Sequence, residues 1–84
     1  MTREVVFTRQ AAKALIRMPT NDAERVRVKI DQYAADPASL ANNVKRLAGS
    51  DYIRLRVGGY RVIMAEDLTV VEVIRIDVRG SVYD

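Results

Sequence analysis

The chain has 84 residues, 49% of them hydrophobic and 30% charged, enough for one domain with a single modest core and too few for two. With 14 Lys+Arg against 11 Asp+Glu the net charge is +3, a basic excess that favours an acidic partner without naming one. Cysteine and histidine are absent, which removes disulfides, thiol nucleophiles, Cys/His zinc sites and histidine acid–base catalysis and leaves Lys, Arg, Tyr, Ser/Thr and carboxylates for any chemistry.

Residues 1–7 carry an acid and only a short apolar run, so they read as neither a signal peptide nor a membrane span; a cytoplasmic location with no membrane partner is the expectation. Residues 4–7, short and β-branched, fit a buried strand that opens a sheet. Thr8 is placed to cap a helix in which Ala11, Ala12, Leu15 and Ile16 recur at helical spacing, and Pro19 ends it because the residue before a proline avoids the α region. A second helix starts near Thr20, Asn21 and Asp22, all able to cap it, with Glu24 favourably in its first turn. Ala23, Val26, Ile30, Tyr33 and Ala34 form its apolar stripe, and it stops before Pro37. The two helices make a hairpin over one face of the sheet, with Val28 off the stripe and exposed. Residues 36–43 read as a loop; beyond it Val44 and Leu47 tuck under the sheet while Lys45 and Arg46 stay outside.

Residues 51–64 organise the rest. Two alternating runs flank Gly58-Gly59, a link that accepts the positive φ of a type I′ or II′ turn, so a β-hairpin is expected with Val57 facing Tyr60, Arg56 facing Arg61 and Leu55 facing Val62. Ile53, Leu55, Val57, Tyr60, Val62 and Met64 then share the core side, and Arg54, Arg56 and Arg61 the other. Residues 70–76 supply a third meander strand. If Asp67-Leu68 is the intervening turn, Val71 and Val73 face the core, and Glu72, Ile74 and Ile76 share the arginine face. The expectation is an α+β fold: a small single domain over residues 1–84, with an N-terminal strand, a two-helix hairpin and an antiparallel three-stranded meander.

Like charges opposed across strands cost a few tenths to about 1 kcal/mol per pair. Two readings of the three arginines stay open: a solvated polar face, or an anion site in which planar guanidiniums hold phosphate oxygens through paired donors.

Lys45-Arg46-Leu47-Ala48-Gly49, the run from Tyr52 through Arg54, Arg56, Tyr60 and Arg61 to Ile63, Val73-Ile74-Arg75-Ile76, and the closing Arg79-Gly80-Ser81-Val82-Tyr83 closely resemble the RelE/ParE superfamily of bacterial toxins. The resemblance implies a toxin of a type II toxin–antitoxin pair. RelE-like members enter the ribosomal A site and cut messenger RNA without a metal or other cofactor, the 2′-hydroxyl attacking the neighbouring phosphate. Carried over, Arg61 matches the arginine on the scissile phosphate, Arg79 the basic residue of the closing motif, and Tyr83 the C-terminal tyrosine at the target nucleotide. Arg54 and Tyr52 fall where the best-known RelE-like sequences have lysines, and Val78 where many relatives carry a histidine. An arginine does not give up its proton near neutral pH, so Arg54 suits a clamp, and the general base is left to Tyr83 or a carboxylate such as Glu72.

The catalytic set implied is therefore Arg54, Arg61, Arg79 and Tyr83, with Lys45, Arg46 and Arg56 along the RNA backbone. The implied partners are an antitoxin encoded nearby, the ribosome and messenger RNA. The alternative is a ParE-like inhibitor of DNA gyrase with no ribonuclease activity.

Overall fold

The structure is a computed structural model that describes residues 2–78; Arg79 and Tyr83 lie outside them. The elements are β1 (Glu4–Phe7), α1 (Arg9–Arg17), α2 (Thr20–Ala35), a 3-10 segment (Pro37–Asn43), β2 (Val44–Arg46), β3 (Ile53–Val57), β4 (Tyr60–Glu66) and β5 (Val70–Val78). They build one five-stranded sheet in the order β1-β5-β4-β3-β2, with β1 parallel to β5 and the other neighbours antiparallel. The expected layout of strand, helical hairpin and meander holds. Val44–Arg46 adds a short edge strand on β3 where only a covering segment was expected, because its alternation lets Val44 pair with Leu55 on the core side.

The hairpin register is the expected one, with Val57 opposite Tyr60, Arg56 opposite Arg61 and Leu55 opposite Val62. Gly58 supplies the turn's positive φ of 55°, and Gly59 has none, the sign pattern of a II′ link. Leu55, Val62, Met64, Val71 and Val73 are fully buried and meet Val26, Ile30, Tyr33 and Ala34 of α2 and Ala11 of α1 in one cluster. The 4/3 spacing of the α2 residues puts them on one stripe, so the helix seals the sheet, and among the described residues no polar or charged residue is buried with them. Val28 is exposed, as its position off the stripe requires. Pro19 precedes α2, and none of the three candidate side chains caps it.

Residues 4–7 form the expected strand, but at the sheet edge rather than buried: Val5 and Phe7 are half-buried and Glu4 and Val6 exposed, because β1 has a neighbour, β5, on one side only. Two further local features depart from the sequence expectation. The turn after β4 is shifted by one residue: the Asp67 amide donates to the Val70 carbonyl (3.0 Å), which makes Leu68 and Thr69 its central pair. Asp67 Oδ1 accepts from the amides of Thr69 (2.7 Å) and Val70 (2.8 Å), so its short side chain replaces the missing backbone partners.

The second departure is a bulge. Met64 pairs with Val73 but Ile63 pairs with Arg75, which leaves Ile74 without an opposite number on β4. One extra residue inverts the alternation beyond it. Ile76, expected on the arginine face, is therefore 7% exposed and in the core, while Arg75 and Asp77 take the arginine face instead. Thr8 holds this geometry: its Oγ1 accepts from the Ala11 amide (3.1 Å) as the α1 cap and donates to the Ile74 carbonyl (2.6 Å), the group the bulge takes out of the ladder.

Candidate functional site

The sheet face away from the helices collects the cations. Pairing places Lys45, Arg54, Ile63 and Arg75 in one row across β2, β3, β4 and β5, and Arg56, Arg61 and Asp77 in the next. Neighbouring strands lie about 4.8 Å apart, so the first row spans about 14 Å. Arg54 and Arg61 are half-buried; Lys45, Arg56 and Arg75 are exposed. The arginines of the hairpin converge as expected.

Arg46 does not join them. It pairs with Ile53, a core-side position, so alternation turns it to the face opposite Lys45. Glu72 keeps the expected face but pairs with Ala65, and four residues of β4 separate that row from Arg61, about 13 Å along the strand. Asp77 is the carboxylate placed across from Arg61, and its Oδ2 accepts from Arg75 Nε at 3.1 Å. Arg75 and Asp77 escaped sequence reasoning because a period-two count along residues 70–78 puts both on the core side unless a residue is skipped. Thr8, followed by a helix and far from any strand partner in sequence, gives no local signal of that skip.

Arg61 is set apart by its surroundings. Its Nε is buried and has no hydrogen-bond partner. A buried donor left unmet costs about 1–3 kcal/mol, which an incoming anion would recover. Among the described residues the ion pairs are Arg3–Glu66, Arg25–Asp22 and Arg75–Asp77, so Lys45, Arg54, Arg56 and Arg61 face solvent or a ligand without a carboxylate of their own. Five cations against one nearby carboxylate make a face that favours a polyanion.

Tyr60 behaves as a structural residue. Its ring packs on the core and its hydroxyl donates to Asp22 Oδ2 (2.7 Å), a bond that, with burial, raises its pKa above the ordinary phenol value. The bond ties the hairpin that carries Arg56 and Arg61 to the start of α2.

No helix among the described residues is long and apolar enough to cross a membrane. No significantly similar sequence is found among curated proteins. Several solved structures share the fold over nearly the whole chain. The archaeal RelE–RelB complex from Pyrococcus horikoshii OT3 contains a chain 29% identical with a TM-score of 0.81, over 96% of this chain and 99% of that one. The toxin–antitoxin complex RelBE2 from Mycobacterium tuberculosis contains a chain 25% identical with a TM-score of 0.78, over 94% and 100%. The intact E. coli RelBE toxin–antitoxin complex gives 25% identity and a TM-score of 0.71, over 90% and 95%. The family model for the ParE toxin of type II toxin–antitoxin systems, parDE, matches residues 5–83. With the RelE-like fold, that match makes the chain a member of the RelE/ParE family and a toxin of a type II toxin–antitoxin system.

Proposed function

We propose that this toxin is a metal-independent, ribosome-dependent messenger RNA endonuclease that arrests translation. The observation that carries the reading is the convergence of Lys45, Arg54, Arg56, Arg61 and Arg75 on one face around a buried, unmet Arg61 Nε. A transferring phosphoryl group gathers charge on its oxygens, and cations already aimed at it supply the largest share of catalysis. Arg61 and Arg54 clamp the scissile phosphate, and Lys45 and Arg56 hold its neighbours. Arg79 and Tyr83 complete the set by resemblance, outside the described residues. Glu72 stands about 13 Å along the strand from Arg61, so the proton of the attacking 2′-hydroxyl falls to Tyr83.

The relatives named above are held in complexes with antitoxins. This chain pairs with an antitoxin of its own, for which an acidic segment that folds on binding complements the basic face.

A second reading, inhibition of DNA gyrase without RNA cleavage, is favoured by the ParE family match. One experiment separates them: primer extension on a defined message in a purified translation system, with and without ribosomes, beside a gyrase supercoiling assay. Ribosome-dependent cuts lost in Arg61→Ala are the expected result. Intact message with inhibited supercoiling would establish the gyrase reading instead.

A further inference from the structure

Where β2 lies along β3 the basic face becomes concave. Asn42 and Asn43, at the end of the 3-10 segment, join Val44, Lys45, Arg54 and Arg56 around a groove of about 410 Å³, within the size range of small-ligand sites. The wall is held in place from below. Leu40 is 4% exposed in the core and marks a kink in the 3-10 segment (φ −117°, ψ 21°), after which the chain enters β2 directly. Asn42 and Asn43 are thus fixed beside the cations by a buried anchor on one side and a strand on the other.

The two kinds of side chain in the groove have different uses. Lys45 and Arg54 are opposite each other, and Arg56 stands about 6.7 Å further along the same strand as Arg54, so they can engage successive phosphates of one backbone. Phosphate contacts position a strand but carry no sequence information. Discrimination has to come from groups that meet base edges, and the carboxamides are the neutral groups of the groove that offer both a donor and an acceptor. Among the described residues neither takes part in a side-chain hydrogen bond, whereas Gln32 is engaged with Ser39.

We infer that this groove is a base-selecting subsite for single-stranded RNA, in which Lys45, Arg54 and Arg56 hold the backbone while Asn42 and Asn43 read an unstacked base, adenine in preference to pyrimidines. It rests on the RNA reading of the basic face. Adenine is the choice because its Hoogsteen edge sets the N6–H donor beside the N7 acceptor, the pair an asparagine carboxamide matches in two bonds; pyrimidines have no N7, and an unstacked base of single-stranded RNA is free to turn that edge inward.

The test measures binding directly and needs neither ribosome nor cleavage. Fluorescence anisotropy with labelled tetraribonucleotides of A, C, G and U, at one fixed salt concentration, should show the A tetramer bound about fivefold or more tighter than the C and U tetramers. In Asn42→Ala/Asn43→Ala that ratio should fall to within about twofold, with the single Asn42→Ser and Asn43→Ser variants intermediate. Lys45→Ala and Arg54→Ala should weaken all four tetramers by a similar factor and flatten the salt dependence. Equal binding of the four by the unaltered protein, or a preference that survives the double substitution, would overturn the subsite.

The outcome is separable from the enzymatic reading. Adenine preference without message cleavage leaves the subsite standing and removes the nuclease; Arg61-dependent cleavage without base preference does the reverse. No binding to any tetramer removes the subsite.

Discussion

Two arginines in this molecule are treated in opposite ways. Arg3, at the N-terminal edge of the sheet, has its guanidinium bonded to the Glu66 carboxylate and the Tyr33 carbonyl (3.2 Å) and stacked 5.2 Å from the Tyr33 ring. The Tyr33 hydroxyl donates to both Glu66 oxygens (3.0 and 2.9 Å), which closes the group into a small network joining β1, α2 and the end of β4. Burial works to lower the Arg3 pKa, but the bond and charge of Glu66 outweigh it and the net shift is upward. Tyr33 is raised by its own burial first and by Glu66 second. Arg61, half-buried on the other side of the same sheet, has an Nε with nothing to bond to and a like charge, Arg56, directly across. A fold that bonds both terminal nitrogens of one guanidinium and leaves the buried Nε of another unmet is spending stability at the second position, which is the mark of a site awaiting a ligand.

The largest expected effect breaks that contrast at Arg61. Arg61→Leu, which keeps the aliphatic volume, should lower cleavage by a hundredfold or more, in line with about 100-fold for a lost transition-state donor, while the urea midpoint stays level or rises. A parallel loss of stability would make Arg61 structural. Glu66→Ala should do the opposite: it strands the Tyr33 hydroxyl and the Arg3 guanidinium, costing about 1–3 kcal/mol in urea unfolding with cleavage per folded molecule unchanged.

Thr8→Val probes the link between the two faces. It removes the α1 cap and the bond to the Ile74 carbonyl, for about 1–2 kcal/mol of stability by the cap alone. Because the bulge aims Arg75 and Asp77, the amide resonances of residues 74–77 should shift more than those of β3. Shifts confined to α1 would show that the bulge does not depend on Thr8.

The smallest effect concerns the β4–β5 turn. The Thr69 and Val70 amides, followed by the Thr69 hydroxyl, hold the Asp67 carboxyl below its ordinary pKa. A lowered folded-state pKa means that the contribution is present above the unfolded value of about 3.9 and is lost as the pH falls through the folded value. Asp67→Asn should therefore be less stable than the unaltered protein near neutrality, and the gap between their urea midpoints should close on acidification below about pH 4. A gap independent of pH would assign the effect to turn conformation rather than to the charge.

Much of this molecule was decided by the order of its residues. Alternation around Gly58-Gly59 determined the hairpin, its register and the gathering of Arg54, Arg56 and Arg61, because a strand pair with a two-residue link has only one register that buries Leu55 and Val62 together. Helical spacing determined the stripe of α2, and the basic motif determined the family. Tertiary structure decided what local pattern cannot encode. Val44–Arg46 is a strand only because β3 has an open edge beside it, and that pairing sends Lys45 to the basic face and Arg46 away from it. The skip at Ile74 depends on a hydroxyl 66 residues away, and a single unpaired residue is enough to exchange Ile76 for Arg75 and Asp77 on the functional face. A side-chain period of two makes a strand's pattern easy to read and, for the same reason, reverses it completely when one residue is added.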